Sequence, residues 1–173
     1  DGRFAALTNI RNPNQPLGRR SRGELVAQFL CGEQSMEDYL AEVVGRSDEY
    51  AGFNLLLGNA EALYYLSAVN PHPQRLEEGV YGVSNASLDT PWPKLLKAKA
   101  ALVAQLDDPQ PSGLLTLLRD PATAPFAELP DTGVGLATES LLSSVFIASP
   151  SYGTRASSAL IVNADGRDRK SVV

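Results

Sequence analysis

The run Gly52-Phe53-Asn54-Leu55-Leu56-Leu57 is apolar at almost every consecutive position, and it ends in the turn residues Gly58-Asn59. Successive strand residues point to opposite faces of a sheet, so a strand apolar on both faces needs a sheet covered on both. A chain of 173 residues with 43% hydrophobic content can supply those layers. Strand-like segments sit beside one another rather than alternating strictly with helices. Residues 62–66 follow the turn at once, and residues 79–85 lie one loop further on. The tally, about five helices and five strands, predicts an α+β fold with helices segregated onto sandwiched antiparallel sheets. A Rossmann fold fits less well, since no Gly-rich phosphate fingerprint is present. Neither an internal repeat nor a linker breaks the chain, so a single domain is expected.

Around that strand the pattern is regular. Residues 4–9 read as a first strand, followed by a polar loop with Pro13 and Pro16. Ser21-Arg22-Gly23-Glu24 has the spacing of a capping box, and Leu25, Val26, Phe29 and Leu30 continue as a helical face. Ser35 opens a second helix that Gly45 is placed to stop. Asn70-Pro71-His72-Pro73 reads as a loop. Thr90-Pro91 reads as the N-cap and first residue of a helix over 92–106. Helices are also expected over 112–119 and 139–147, with a β-like segment over 154–162 and a hairpin turn at Asp165-Gly166.

Both ends of the chain are expected to be cut. Asp1-Gly2 suits the centre of a type I′ hairpin whose upstream strand would precede the chain. Asp168-Arg169-Lys170-Ser171-Val172-Val173 can be encoded by GAT CGG AAG AGC GTC GTG, a common sequencing adapter. Residues 1–167 are therefore read as a partial domain and 168–173 as a non-native read-through tail.

Composition removes several classes. A net charge of −5 argues against a nucleic-acid surface. No apolar run approaches a membrane span and no signal peptide opens the chain, which predicts a soluble, cytoplasmic protein. One Cys and one His make a disulfide framework or a metal site improbable. Cys31, beside Leu30 and Gly32, reads as an inert packed thiol. His72 between prolines has no partner at a catalytic spacing.

Polar residues at strand ends carry the chemical interest. Asn9 and Asn85 offer uncharged N–H donors of the kind that stabilise an oxyanion, although Asn also bonds turns. Arg155, in Tyr152-Gly153-Thr154-Arg155, can fix a carboxylate or an acyl group. Asp89 is placed to cap a helix, and Trp92 to line a pocket or staple the helix to a sheet.

The runs Ser21-Arg22-Gly23, Tyr50-Ala51-Gly52-Phe53-Asn54-Leu55-Leu56 and Tyr152-Gly153-Thr154-Arg155, and above all residues 81–94 (YGVSNASLDTPWPK), resemble the NRDE (Asn-Arg-Asp-Glu) family. It is also called the transport and Golgi organisation protein 2 family. Where that family tends to have Ser-Asn after the Tyr-rich strand this chain has Ser67-Ala68, so no binding residue is assigned at Ala68. The resemblance implies an αββα four-layer sandwich like that of N-terminal-nucleophile hydrolases. The nucleophilic Cys and the Asn-Arg-Asp-Glu motif itself would lie upstream of these residues. By analogy with bile-salt and penicillin acylases, it implies Asn85 as oxyanion donor and Arg155 as partner of the nucleophile or substrate. Asn9, Asn54, Asp89 and Trp92 would contribute to substrate binding.

Two functions follow from the resemblance. One is hydrolysis of a linear amide C–N bond through a thioester, which requires no cofactor and leaves these residues alone inactive. The other is non-catalytic carriage or trafficking of haem or an acyl, lipid-like ligand. Tyr65, Tyr81, Trp92 and Phe146 would then line a hydrophobic pocket, and His72 would be the one imidazole for haem iron.

Overall fold

The computed structural model describes residues 2–162 and 168–172; the turn expected at Asp165-Gly166 lies outside the described residues. The fold is mixed α+β. The chain divides into two compact units, residues 1–90 and 91–173.

The first unit is built on a four-stranded antiparallel sheet of order β1-β2-β3-β4, formed by β1 (Phe4–Asn9), β2 (Phe53–Gly58), β3 (Leu63–Ser67) and β4 (Asn70–Leu76). Helices α1 (Gly23–Cys31) and α2 (Met36–Gly45) cover one face. Phe53, Leu55 and Leu57 of β2 and Leu66 of β3 pack there against Leu25, Phe29, Tyr39, Leu40 and Val43, all almost wholly buried. Alternation puts Asn54, Leu56 and Tyr65 on the opposite face, so β2 is wholly apolar on its helix-covered side and mixed on the other.

The expectations for this unit hold at β1, α2, β2 and β3. The Ser35 hydroxyl accepts from the Asp38 amide at 3.0 Å and caps α2. Four expectations are corrected. Cys31, read as a packed thiol, is exposed at the end of α1. The capping box at Ser21 does not form. Arg22 is the N-cap without a side-chain bond, because Glu24 is taken by the Tyr50 hydroxyl at 2.6 Å and by Arg20 at 2.5 Å. Residues 70–73 form the start of strand β4 rather than a loop. β4 is an edge strand, where prolines without N–H groups are tolerated. Residues 79–85 form no strand. The Gly82 amide donates to the Asp89 carboxylate and its carbonyl accepts from the Asp89 amide, both at 2.8 Å. With Gly82 tied inside its own loop and Asp89 at φ 54, no ladder can run through it.

The second unit holds α3 (Pro93–Val103), α4 (Pro111–Leu117), α5 (Leu136–Leu141) and the two-stranded antiparallel sheet of β5 (Ser158–Val162) with β6 (Asp168–Val172). The cap of α3 is Trp92, not Thr90. Pro93 pushes the residue before it into extended backbone and itself takes the first helical position. The Thr90 hydroxyl donates instead to Ser87 O at 2.9 Å. Helix α5 starts earlier and stops sooner than 139–147. Glu139 is 2% exposed, with its carboxylate accepting from the Thr132 amide and hydroxyl. Just past the helix, the Ser143 and Ser144 hydroxyls donate to the Ser140 and Leu141 carbonyls.

Candidate functional site

The polar face of the first unit converges on one end of its sheet. Thr8 of β1 lies opposite Asn54 of β2, which lies opposite Ser67 of β3; Tyr65 stands diagonally from Asn54 on the same face. Asn54 is 1% exposed. Its amide nitrogen donates to Thr8 Oγ1 at 3.0 Å and to Ala86 O at 2.7 Å, and its Oδ1 accepts from the Tyr65 hydroxyl at 2.7 Å. A primary amide carries two N–H donors, so both face protein acceptors. The Tyr65 oxygen in turn accepts from the Leu88 amide at 3.0 Å.

Those bonds hold the loop that carries Asn85. Asn85 is half-buried; its side-chain nitrogen donates to Asn9 O at 2.9 Å, and its own carbonyl accepts from the Arg11 amide at 2.7 Å. Asn9 is exposed at the end of β1. The bond to Asn9 uses one of the two Asn85 N–H donors. Asp89 contributes to the same loop by closing it onto Gly82. The structure thus brings Asn9, Asn54, Asn85 and Asp89 to one end of one sheet. Asn54 sits below the surface, Asn85 and Asn9 nearer to solvent.

Trp92 and Arg155 belong to the second unit. Trp92 is half-buried at the start of α3, with Lys94 Nζ 6.0 Å from its ring centroid. Arg155 is exposed and borders a cleft of about 520 Å³ lined by Arg119, Pro121, Phe146, Ala148, Ala156 and Ser157 as well. The cleft is mainly apolar, and two arginines are among its lining residues. The Thr154 amide and hydroxyl are fixed to Ile147 at 2.8 and 3.0 Å, which anchors the backbone leading into Arg155.

The residues considered for a pocket or for haem are dispersed. Tyr65 lies under the 82–89 loop, and Phe146 lines the cleft. His72 is exposed on the edge strand β4, its Nδ1 2.8 Å from Asn70 Oδ1, and is not among the cleft residues. None of the seven lining residues offers an imidazole, thiolate or thioether to a haem iron, so the cleft does not fit axial ligation of haem. Nothing local in the sequence marks Arg119; only the return of the chain at 146–157 brings it into one cleft with Arg155.

Fold and geometry define a mixed α+β protein whose antiparallel sheet presents a buried asparagine network at one end. The family profile described as Transport and Golgi organisation 2 matches residues 1–170, and the chain belongs to that family. It is 34% identical over 185 residues to the Transport and Golgi organization protein 2 homolog of Bos taurus, covering 95% of this chain and 66% of that protein. The protein of the same name from Homo sapiens is 34% identical over 181 residues, with the same two coverages. The chain therefore spans just under two thirds of the length of these curated relatives.

Among the described residues no helix is long and apolar enough to cross a membrane.

Proposed function

We propose that this family domain has an N-terminal-nucleophile hydrolase-like architecture, with the β1–β4 sheet as one of the two sheets of an αββα sandwich. Its chemistry would be cleavage of a linear amide. The observation that carries the reading is the asparagine pair at the sheet end, in which the uncharged amide of Asn85, on the 82–89 loop, is bonded to the main chain at the end of β1. Preorganised neutral donors of this kind stabilise a tetrahedral oxyanion without reorganising during the reaction.

In this reading the nucleophile is an N-terminal Cys on residues outside these 173. Its sulfur forms a C–S bond to the amide carbonyl carbon. The α-amino group takes the thiol proton and passes it to the departing amine as the C–N bond breaks. Water then hydrolyses the thioester, releasing the acid and restoring the thiol. Asn85 Nδ2 donates to the oxyanion, and Asn9 borders the acyl group.

The test is intact-mass spectrometry of the full-length protein before and after an acylating amide probe. An exposed N-terminal Cys gains the acyl mass, and Asn85→Ala slows that gain by about a hundredfold or more. A free N-terminal Cys that takes up no acyl mass overturns the reading.

A second reading has its own support. An apolar cleft with Arg119 and Arg155 among its lining residues suits an anionic amphiphile, such as the carboxylate end of an acyl chain. Carriage of such a ligand needs no nucleophile, so an unreactive full-length protein favours it.

A further inference from the structure

The loop that carries Asn85 is attached to the sheet at several points, and two of them run through one buried phenol and its partner. The Tyr65 hydroxyl, on a side chain 7% exposed, accepts from the Leu88 amide and donates to Asn54 Oδ1. Asn54 in turn donates to Ala86 O. The residues immediately after Asn85 are therefore gripped on an N–H at 88 and a C=O at 86 by groups on β3 and β2. The order Leu88 N–H to Tyr65 O–H to Asn54 Oδ1 also settles the amide orientation. With its oxygen on the phenol, the Asn54 nitrogen must face Ala86 O and Thr8 Oγ1, both of which accept.

We propose that Tyr65, acting through Asn54 and the Leu88 amide, is a positioning residue that sets the direction of the Asn85 side-chain amide. This deepens the hydrolase reading and rests on it for its catalytic meaning. Packing alone asks only for an aromatic ring at position 65. The hydroxyl does something else: it makes one bond to each of two groups, one of them in the functional loop. Supporting bonds of this kind hold a reacting donor within the narrow range of direction that its chemistry needs. Phenylalanine would fill the same space and leave Leu88 N–H and Asn54 Oδ1 without a partner.

The test is Tyr65→Phe in this chain, read by amide hydrogen exchange and by the side-chain NH2 resonances of Asn85. The Leu88 amide is expected to exchange at least about tenfold faster, and the Asn85 NH2 pair to shift, while amides within β1–β3 keep their protection. Unchanged Leu88 exchange and Asn85 resonances overturn the proposal. So does an equal loss of protection across the sheet, which would mark a merely structural role. If the variant does not fold, the unmodified chain decides. A slowly exchanging Tyr65 hydroxyl proton with a nuclear Overhauser contact to Leu88 N–H supports the clamp, and a rapidly exchanging one overturns it.

In the full-length protein, Tyr65→Phe should slow acyl transfer to the N-terminal Cys by about tenfold to a hundredfold at an unchanged half-saturating probe concentration. An unchanged rate overturns the catalytic role. If the unsubstituted protein takes up no acyl group, the hydrolase reading falls by itself, and the exchange data still decide the clamp.

Discussion

Removing the side chain of Asn54 would strand three groups at once. The Tyr65 hydroxyl loses its acceptor, and Ala86 O and Thr8 Oγ1 lose a donor. A buried polar group left unpaired costs about 1–3 kcal/mol, so Asn54→Ala should destabilise the chain by at least about 2 kcal/mol in urea denaturation. A midpoint within error of the parent's would mean that the network is not formed in solution. At this scale the sequence was partly legible. Strand-end position marks Asn9 and Asn85, a helix-start position marks Asp89 and the family resemblance marks Asn54; the structure gathers all four at one sheet end. Their partners were not visible, because Thr8 opposite Asn54 and Tyr65 diagonal to it depend on strand register, which local sequence does not state. Arg155 was likewise readable as a cation at the start of a β-like segment, whereas Arg119 in the same cleft was not.

Among the elements, the loop between β1 and α1 shows how closely connections here are fitted. A methyl group at Gly18 would collide with the Ala51 amide nitrogen and the Tyr50 backbone. Arg22 Nη1 reaches the same region, donating to Gly52 O at 2.9 Å. Gly18→Ala is expected to lower stability by about 1–3 kcal/mol, since backbone on the far side cannot yield as a flexible side chain can. Thermal unfolding would check this; a variant as stable as the parent would show that the loop stands off from residues 50–52. Helix and strand existence was readable from hydrophobic period wherever local signals agreed, as at α2 with its Ser35 cap and Gly45 stop. It failed where a distant group outbid the local one. Glu24 leaves its capping role for Tyr50 and Arg20, and residues 79–85 give up strand pairing for the closure of Gly82 onto Asp89.

Over the whole molecule, carboxylates and phenols are paired so that stability depends on pH at both ends of the range. Glu24 is held below its ordinary value of 4.5, chiefly by the Tyr50 hydroxyl and then by Arg20. Glu37 is lowered by Tyr64, and Asp120 by Lys97. A carboxylate lowered in the folded state stabilises it above the unfolded value, and that contribution is lost as pH falls through the folded one. In the opposite direction, burial and Glu24 push the Tyr50 phenol from 10.0 up to about 12. Burial raises Tyr39 as well. The neutral phenol is favoured by folding, so this contribution is complete below the ordinary phenol value and disappears as pH rises toward the folded one. Urea midpoints should therefore hold level from about pH 5 to 10 and fall on either side. Glu24→Gln should flatten the acid limb in part, and an unaltered acid limb would count against the Tyr50–Glu24–Arg20 cluster.

By itself the sequence determined the apolar strand β2, the helical faces of α1 and α2, the mixed α+β class and the family, because these rest on periodicity and on contiguous residues. Tertiary structure alone decided that prolines 71 and 73 would lie in an edge strand and that the 82–89 loop would hang from Asn54 and Tyr65. It also decided that Arg119 and Arg155 would share a cleft. The loop attachment and the shared cleft join residues far apart in the chain, and the edge strand pairs with its neighbour β3 across a tight turn. All three are set by register and by competition for hydrogen-bond partners, neither of which a local pattern contains.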